Sequence, residues 1–172
     1  MRTADRGLPI GRGSIYVAIV VAALASYFIY QTWFNPSRAV KRRLGEIAGV
    51  LSAPDDESEI GRIARLGRLR AYLANDVRLR AGSFELSSRD AIVGVLSGLR
   101  PPKGGWDIQF VDVQVAVDSA SAAHAGLMIE INTHDPQTGE WLAEQHEATA
   151  ALERKNAEWI VVRGEIKNRP PQ

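Results

Sequence analysis

The feature that most constrains this chain is a long stretch without charge. No Asp, Glu, Lys or Arg occurs between Arg12 and Arg38. Its most apolar part, Ile15 to Phe34, is about 20 residues long, the length a helix needs to cross the hydrocarbon core of a bilayer. Inside it only Ser26, Gln31 and Thr32 are polar, all toward the C-terminal end. Tyr16 marks one end; Tyr27, Tyr30 and Trp33 mark the other, where amphipathic rings favour the headgroup level. A core helix of a water-soluble domain would show polar positions at helical period, and this run does not. The "ALA" at Ala23 to Ala25 imitates a signal-peptide cleavage site. Yet "SYFIYQTWF" follows, where a mature N-terminus is ordinarily polar. The expectation is an uncleaved transmembrane anchor over residues 14–35, behind a short basic segment, residues 1–13.

Flanking charge speaks to orientation. Arg2, Arg6 and Arg12 precede the anchor; Arg38, Lys41, Arg42 and Arg43 follow it. The positive-inside count is nearly tied. A short basic N-terminus before a single apolar helix is the signal-anchor pattern. It places the remainder of the chain outside the cytoplasm, as a single-pass protein of a bacterial inner membrane with a periplasmic domain. The basic cluster after the anchor reads either as a surface resting on anionic lipid or as a solvated helix end.

Composition excludes several functions. Twenty-one basic residues are set against 20 acidic ones, for a net charge of +1, so no basic face for nucleic acid is expected. The chain has no cysteine, hence no disulfide, zinc–thiolate site or thiol nucleophile. Its histidines, His124, His134 and His146, fall in no His-Glu-x-x-His spacing, and neither a metal nor a cofactor is expected.

Past the anchor, apolar periods define a domain over residues 36–168 and a short tail, 169–172. Val40, Leu44, Ile47 and Leu51 recur at steps of four, three and four, one face of a helix that opens at Asn35 and Pro36. After the acidic break "SAPDDESE", a second helix is expected from about Glu57 to Leu73. Ile60, Ile63, Leu66, Leu69 and Leu73 would face inward, with Arg62, Arg65 and Arg68 on its other side. "NDVRLRAG", residues 75–82, alternates as a short strand. Ser87 or Ser88 then caps a third helix with Ile92, Val95, Leu96 and Leu99 inward, stopped by Pro101 and Pro102. From Trp106 the period becomes two. Val111, Val113, Val115 and Val117 share one face, with Asp112 and Gln114 on the other. Ala123, Ala125, Leu127, Ile129 and Ile131 share a face opposite His124 and Glu130. "HDPQTGE" turns into a strand over 141–152, and Trp159 to Ile166 forms the last. The order is α+β, with helices packed on one face of an antiparallel sheet.

Three stretches in this order resemble the NTF2-like superfamily, including its SnoaL-like branch. "YLANDVRL" (Tyr72 to Leu79) looks like a second helix running into an aspartate and a strand. "SSRDAIVGVLSGL" looks like the short third helix, and "EATAALERKNAEWIVV" (Glu147 to Val162) like the final hairpin. The resemblance implies a cone, a curved antiparallel sheet wrapped on three helices around a pocket. It also implies pairing into a homodimer through the outer sheet face, here Asp112, Gln114, His124, Met128 and Glu130. Candidate ligand-binding residues are Tyr72 late in helix two, Trp106 at the cone's mouth, and His146. The last alternates with Leu142, Ala148, Ala150 and Leu152 and so is expected to face inward. Asp76 and Asp90 read as caps. No acid–base pair emerges, and no catalytic residue is assigned. The expected role is a membrane-anchored binding or assembly module of the cell envelope, meeting an envelope protein or a small apolar ligand. The other reading is a membrane-tethered lyase or isomerase acting on a small apolar metabolite.

Overall fold

The computed structural model describes residues 19–26, 35–135 and 137–167. The chain divides into two units, Met1–Asn35 and Pro36–Gln172. In the first, residues 19–26 are helical. Most of the anchor expected over 14–35, and the tail 169–172, lie outside the described residues. No helix among the described residues is long and apolar enough to cross a membrane.

The second unit is built in the order α1 (Pro36–Leu51), α2 (Glu59–Arg70), β1 (Leu73–Ala81), β2 (Phe84–Leu86), α3 (Arg89–Gly98), β3 (Trp106–Val117), β4 (Ala122–His134), β5 (Trp141–Lys155) and β6 (Glu158–Lys167). The sheet has six strands, ordered β2-β1-β6-β5-β4-β3. The expectation of a wholly antiparallel sheet needs correcting, because β1 lies parallel to β6. A period of two reveals a strand but not its partner, and this pairing joins residues as far apart as Leu73 and Val161. The three-residue β2 was likewise not expected.

α2 is shorter than expected for local reasons. Ser58 caps it by accepting from the Gly61 amide, and its end is closed by the Ala71 amide donating to the Arg68 carbonyl and the Tyr72 amide to the Leu69 carbonyl. Its inward face is also rotated. Leu66 and Leu69 are buried as expected, but Ile60 is 81% and Ile63 64% exposed, while Arg65 is 7% exposed. Arg65 turns inward because it finds partners there. Its guanidinium forms a bidentate pair with Glu57, Nε to Oε1 at 2.7 Å and Nη2 to Oε2 at 2.9 Å. Nη1 donates to the carbonyl of Val50 at the end of α1, 3.1 Å away. α3 starts at Ser88, whose hydroxyl accepts from the Ala91 amide. Ile92 and Val93 are buried; Val95 and Leu99, expected inward, are exposed, and Leu99 is already extended past the helix end.

A bulge in β3 changes which valines face the helices. Val111 opposes Met128 and Gln114 opposes Gly126, so β3 spends three steps where β4 spends two. Asp112 takes a φ of 51° within it. One extra residue inverts the alternation. Ile108 and Phe110 point inward before the bulge, and Val113, Val115 and Val117 after it. Val111, expected inward, joins Met128 on the outer face. Val162 makes a matching irregularity in β6 between the pairs Ala151↔Arg163 and Leu152↔Val161.

Between helices and sheet the core gathers Val40, Leu44, Ile47, Leu69, Val77, Leu127, Leu152 and Trp159, all buried. Each such side chain contributes about 1.5–3 kcal/mol by leaving water. Arg43, from the basic cluster, belongs to this framework. Its Nε donates to the Trp159 carbonyl at 2.8 Å, Nη2 pairs with Glu158 at 2.9 Å, and the guanidinium lies 4.2 Å from the centre of the Tyr72 ring. Arg43 therefore clamps α1 to β6 and to the junction of α2 and β1, while Lys41 and Arg42 remain exposed.

Candidate functional site

The inner face of the curved sheet and the three helices enclose a cavity of about 350 Å³. Leu44, Ile47 and Leu51 of α1 and Ile92, Val95 and Leu96 of α3 line it from the helix side. Leu79, Ile108, Phe110, Leu127, Ile129, Ile131 and Ile166 line it from the sheet. Gly164 also borders it. A Cβ at that position would stand 2.5 Å from Cδ2 of Leu79, so the bare backbone is what lets Leu79 cross β6 on the inner side.

Arg80, Thr149 and Glu165 border the cavity too, but they are exposed. Their register explains this. Arg80 and Thr149 both oppose Glu165, one residue out of phase with the inward row Leu79, Gly164 and Ala150. Side chains alternate along a strand, so these three leave by the outer face. The side chains that project into the cavity are aliphatic or phenyl.

None of the three candidate residues lines it. Tyr72 sits half-buried at the junction of α2 and β1 beneath Arg43. Trp106 fastens the loop after α1 to β3. Its indole Nε1 donates to the Leu51 carbonyl at 2.8 Å, and its backbone exchanges two bonds with Ala53. Gly105 beside it has φ 78° and lies against the Ala53 and Pro54 backbone, where no side chain would fit. His146 opposes Ile129, so it does occupy an inward register, as expected. It lies one residue beyond the last described pair of β5 with β6, Glu147↔Lys167. There His146 is 34% and Leu142 50% exposed. The His146 Nε2 lies 3.7 Å from Glu144 Oε2, beyond hydrogen-bond length.

The readings of Asp76 and Asp90 as caps need correcting, because Asp76 lies within β1 and Ser88 is the cap of α3. Asp90 pairs with Arg70 at 2.7 Å on the surface. His124 bonds to Asp118 on the outer face. His134 stacks on Trp141, ring centres 3.7 Å apart, and packs on Gly104. Two groups with displaced pKa values stand away from the cavity. Glu57 is lowered by the Arg65 hydrogen bonds against the opposing effect of burial, and Lys167 is raised by its bond to Glu147. Among the described residues, no group of three or more His, Cys, Asp or Glu is placed to hold a metal ion.

The outer face carries a second, broader concavity of about 1090 Å³. Its floor is small, with Ala116, Gly126, Thr149 and Ala151 beside Gln114 and His124. Asp76, Arg78, Glu153, Arg163 and Glu165 add charge. This is the face on which the outward residues of β3 and β4 were expected.

Several lining residues went unread in the sequence, chiefly Leu79, Phe84 and Leu86. A signal for them existed. Gly82-Ser83 between the alternating stretches "VRLRA" and "FEL" is a two-residue hairpin loop, and Gly82 has φ 59°.

No protein-family model and no curated protein matches the chain. Solved structures do. An NTF2-like protein with a cystatin-like fold from Novosphingobium aromaticivorans superposes with a TM-score of 0.65 at 13% identity, covering 87% of this chain and 90% of the other. A candidate scytalone dehydratase from the same organism gives 0.63 at 15% identity, covering 81% and 88%. The CaMKII hub homology domain of Chlamydomonas reinhardtii gives 0.63 at 14%, covering 78% and 99%. Identities this low carry the fold alone. The second unit has the α+β NTF2-like fold, with a curved sheet wrapped on helices.

Proposed function

We propose that the chain is a non-catalytic binding or assembly module, held at a bacterial envelope membrane by its N-terminal segment and paired with a second copy through the outer sheet face. One observation carries this reading. Among the described residues the cavity receives aliphatic and phenyl side chains only, which offer a reacting substrate neither a base nor an acid. The fold itself does not choose, since both a hub domain and a candidate dehydratase share it. Support for the location is the uncharged, aromatic-flanked run from Ile15 to Phe34. Support for pairing is the outer concavity, whose small floor and mixed charges suit a self-complementary contact.

The lyase or isomerase reading keeps one observation in its favour. His146 and Glu144 lie on the inner side of the sheet next to the cavity-lining Ile129 and Ile131. Extraction of the purified full-length protein with organic solvent, followed by mass spectrometry, separates the two. A binding module yields its apolar ligand chemically unchanged, with the same yield from His146→Gln. A product that forms on incubation, and that His146→Gln or Glu144→Gln abolishes, would replace this reading with the enzymatic one.

A further inference from the structure

We propose that the cavity takes a small uncharged aliphatic ligand, a hydrocarbon chain or alicyclic body, which enters between β2 and α3 where Phe84 and Val95 form the mouth. The inference rests on the binding-module reading and deepens it by naming the ligand class. Phe84 and Val95 both line the cavity and stand open to solvent, at 55% and 43% exposure. They come from opposite walls, Phe84 from the edge strand β2 and Val95 from α3. β2 has β1 as its single neighbour in the sheet and is held by three residue pairs, with Phe84 opposite Ala81. Large apolar residues left exposed at the rim of an apolar cavity are where such a ligand first leaves water.

The chemistry of the walls sets the class. The central strands β4, β5 and β6 are paired on both sides, and the inward side chains around the cavity present carbon–hydrogen surface alone. A hydroxyl, amine or carboxylate carried past the mouth would lose its bonds to water and gain none. An anion is excluded more strongly, because Arg80 points to the outer face in register with Glu165. The volume of about 350 Å³ sits near the lower end of small-molecule sites. The ligand is therefore a single short chain or compact ring system. Recognition comes from shape and from burial, which tightens binding about fourfold per methylene.

A homologous series tests this. Full-length protein in lipid nanodiscs is titrated calorimetrically with n-alkan-1-ols from pentanol to decanol, against empty nanodiscs. Saturable binding above the empty discs should tighten about fourfold per methylene and level off once the cavity is filled. The α,ω-diol of equal length, which must bury one hydroxyl, should bind at least about tenfold more weakly. Val95→Trp, which plugs the mouth from a half-exposed position, should weaken the alkanol at least about tenfold with the unfolding temperature held. Phe84→Asp, at an exposed edge position, should act in the same direction. Equal affinity for diol and alkanol, binding untouched by both mouth variants, or no binding beyond empty discs would overturn the inference. Loss of alkanol binding with sheet-face pairing intact would sink this inference alone. Alkanol binding together with turnover through His146 would sink the non-catalytic reading alone.

Discussion

Replacing Arg65 with Met should cost the domain about 2–4 kcal/mol, toward the lower part of the range for removing one partner of a buried ion pair. The geometry sets the figure. The Arg65 side chain is 8% and the Glu57 side chain 9% exposed, so neither recovers much hydration when the other is removed. Two short bonds link them, at 2.7 Å and 2.9 Å, and a third reaches the Val50 carbonyl that terminates α1. Met retains most of the apolar stem, so the loss is of charge and donors rather than volume. In a domain of this size the loss corresponds to a fall of about 10 °C in unfolding temperature. The double variant Glu57→Leu with Arg65→Met should regain most of it, because a matched apolar pair removes the stranded carboxylate. Acid adds an independent check. Arg65 holds the Glu57 carboxyl below its ordinary value of 4.5. The stabilisation from that shift is therefore complete above 4.5 and disappears as pH falls through the lowered folded-state value. Urea unfolding of wild type and Arg65→Met at pH 7, and again below the folded-state value, measures both effects. A loss under about 1 kcal/mol at pH 7, or a wild-type advantage that does not narrow in acid, would refute the reasoning.

The anchor reading requires full-length protein to remain in the membrane fraction through alkaline carbonate washing and a chain beginning at Pro36 to be soluble and folded. Quantitative recovery of the full-length chain in the soluble fraction would end that reading. Alkaline phosphatase fused after Gln172 should be active if the domain lies outside the cytoplasm; an inactive fusion beside a fluorescent cytoplasmic reporter at the same site would reverse the orientation. On the outer face the β3 bulge sets Val111 beside Met128 as an apolar spot, so Met128→Lys should shift the chain beginning at Pro36 from dimer to monomer in sedimentation. A wild-type monomer at concentrations on the order of tens of micromolar would exclude this pairing.

Local periodicity accounts for what was legible in the sequence. The α1 stripe Val40, Leu44, Ile47 and the β4 row Ala123 to Ile131 face inward as their spacing demands, because a helix or strand repeats its own geometry over a few residues. Half of the cavity wall could be read that way. The remainder depended on partners distant in the chain. Arg65 looked like a solvated arginine until Glu57 and the end of α1 were brought to it. Val111 looked like a core valine until pairing with β4 forced one extra residue into β3. Tyr72 and Trp106 looked like pocket aromatics, but Arg43 and the Leu51 carbonyl engage them elsewhere. His146 has the inward phase its alternation indicates, yet it stands outside the cavity lining and a third exposed. The sequence by itself determined the three helices, the long strands and the buried faces of α1 and β4, since those follow from spacing along a single segment. Only the tertiary structure decided the parallel β1–β6 pairing, the phase change in β3 and the membership of the cavity wall, because each depends on which distant segments come into register.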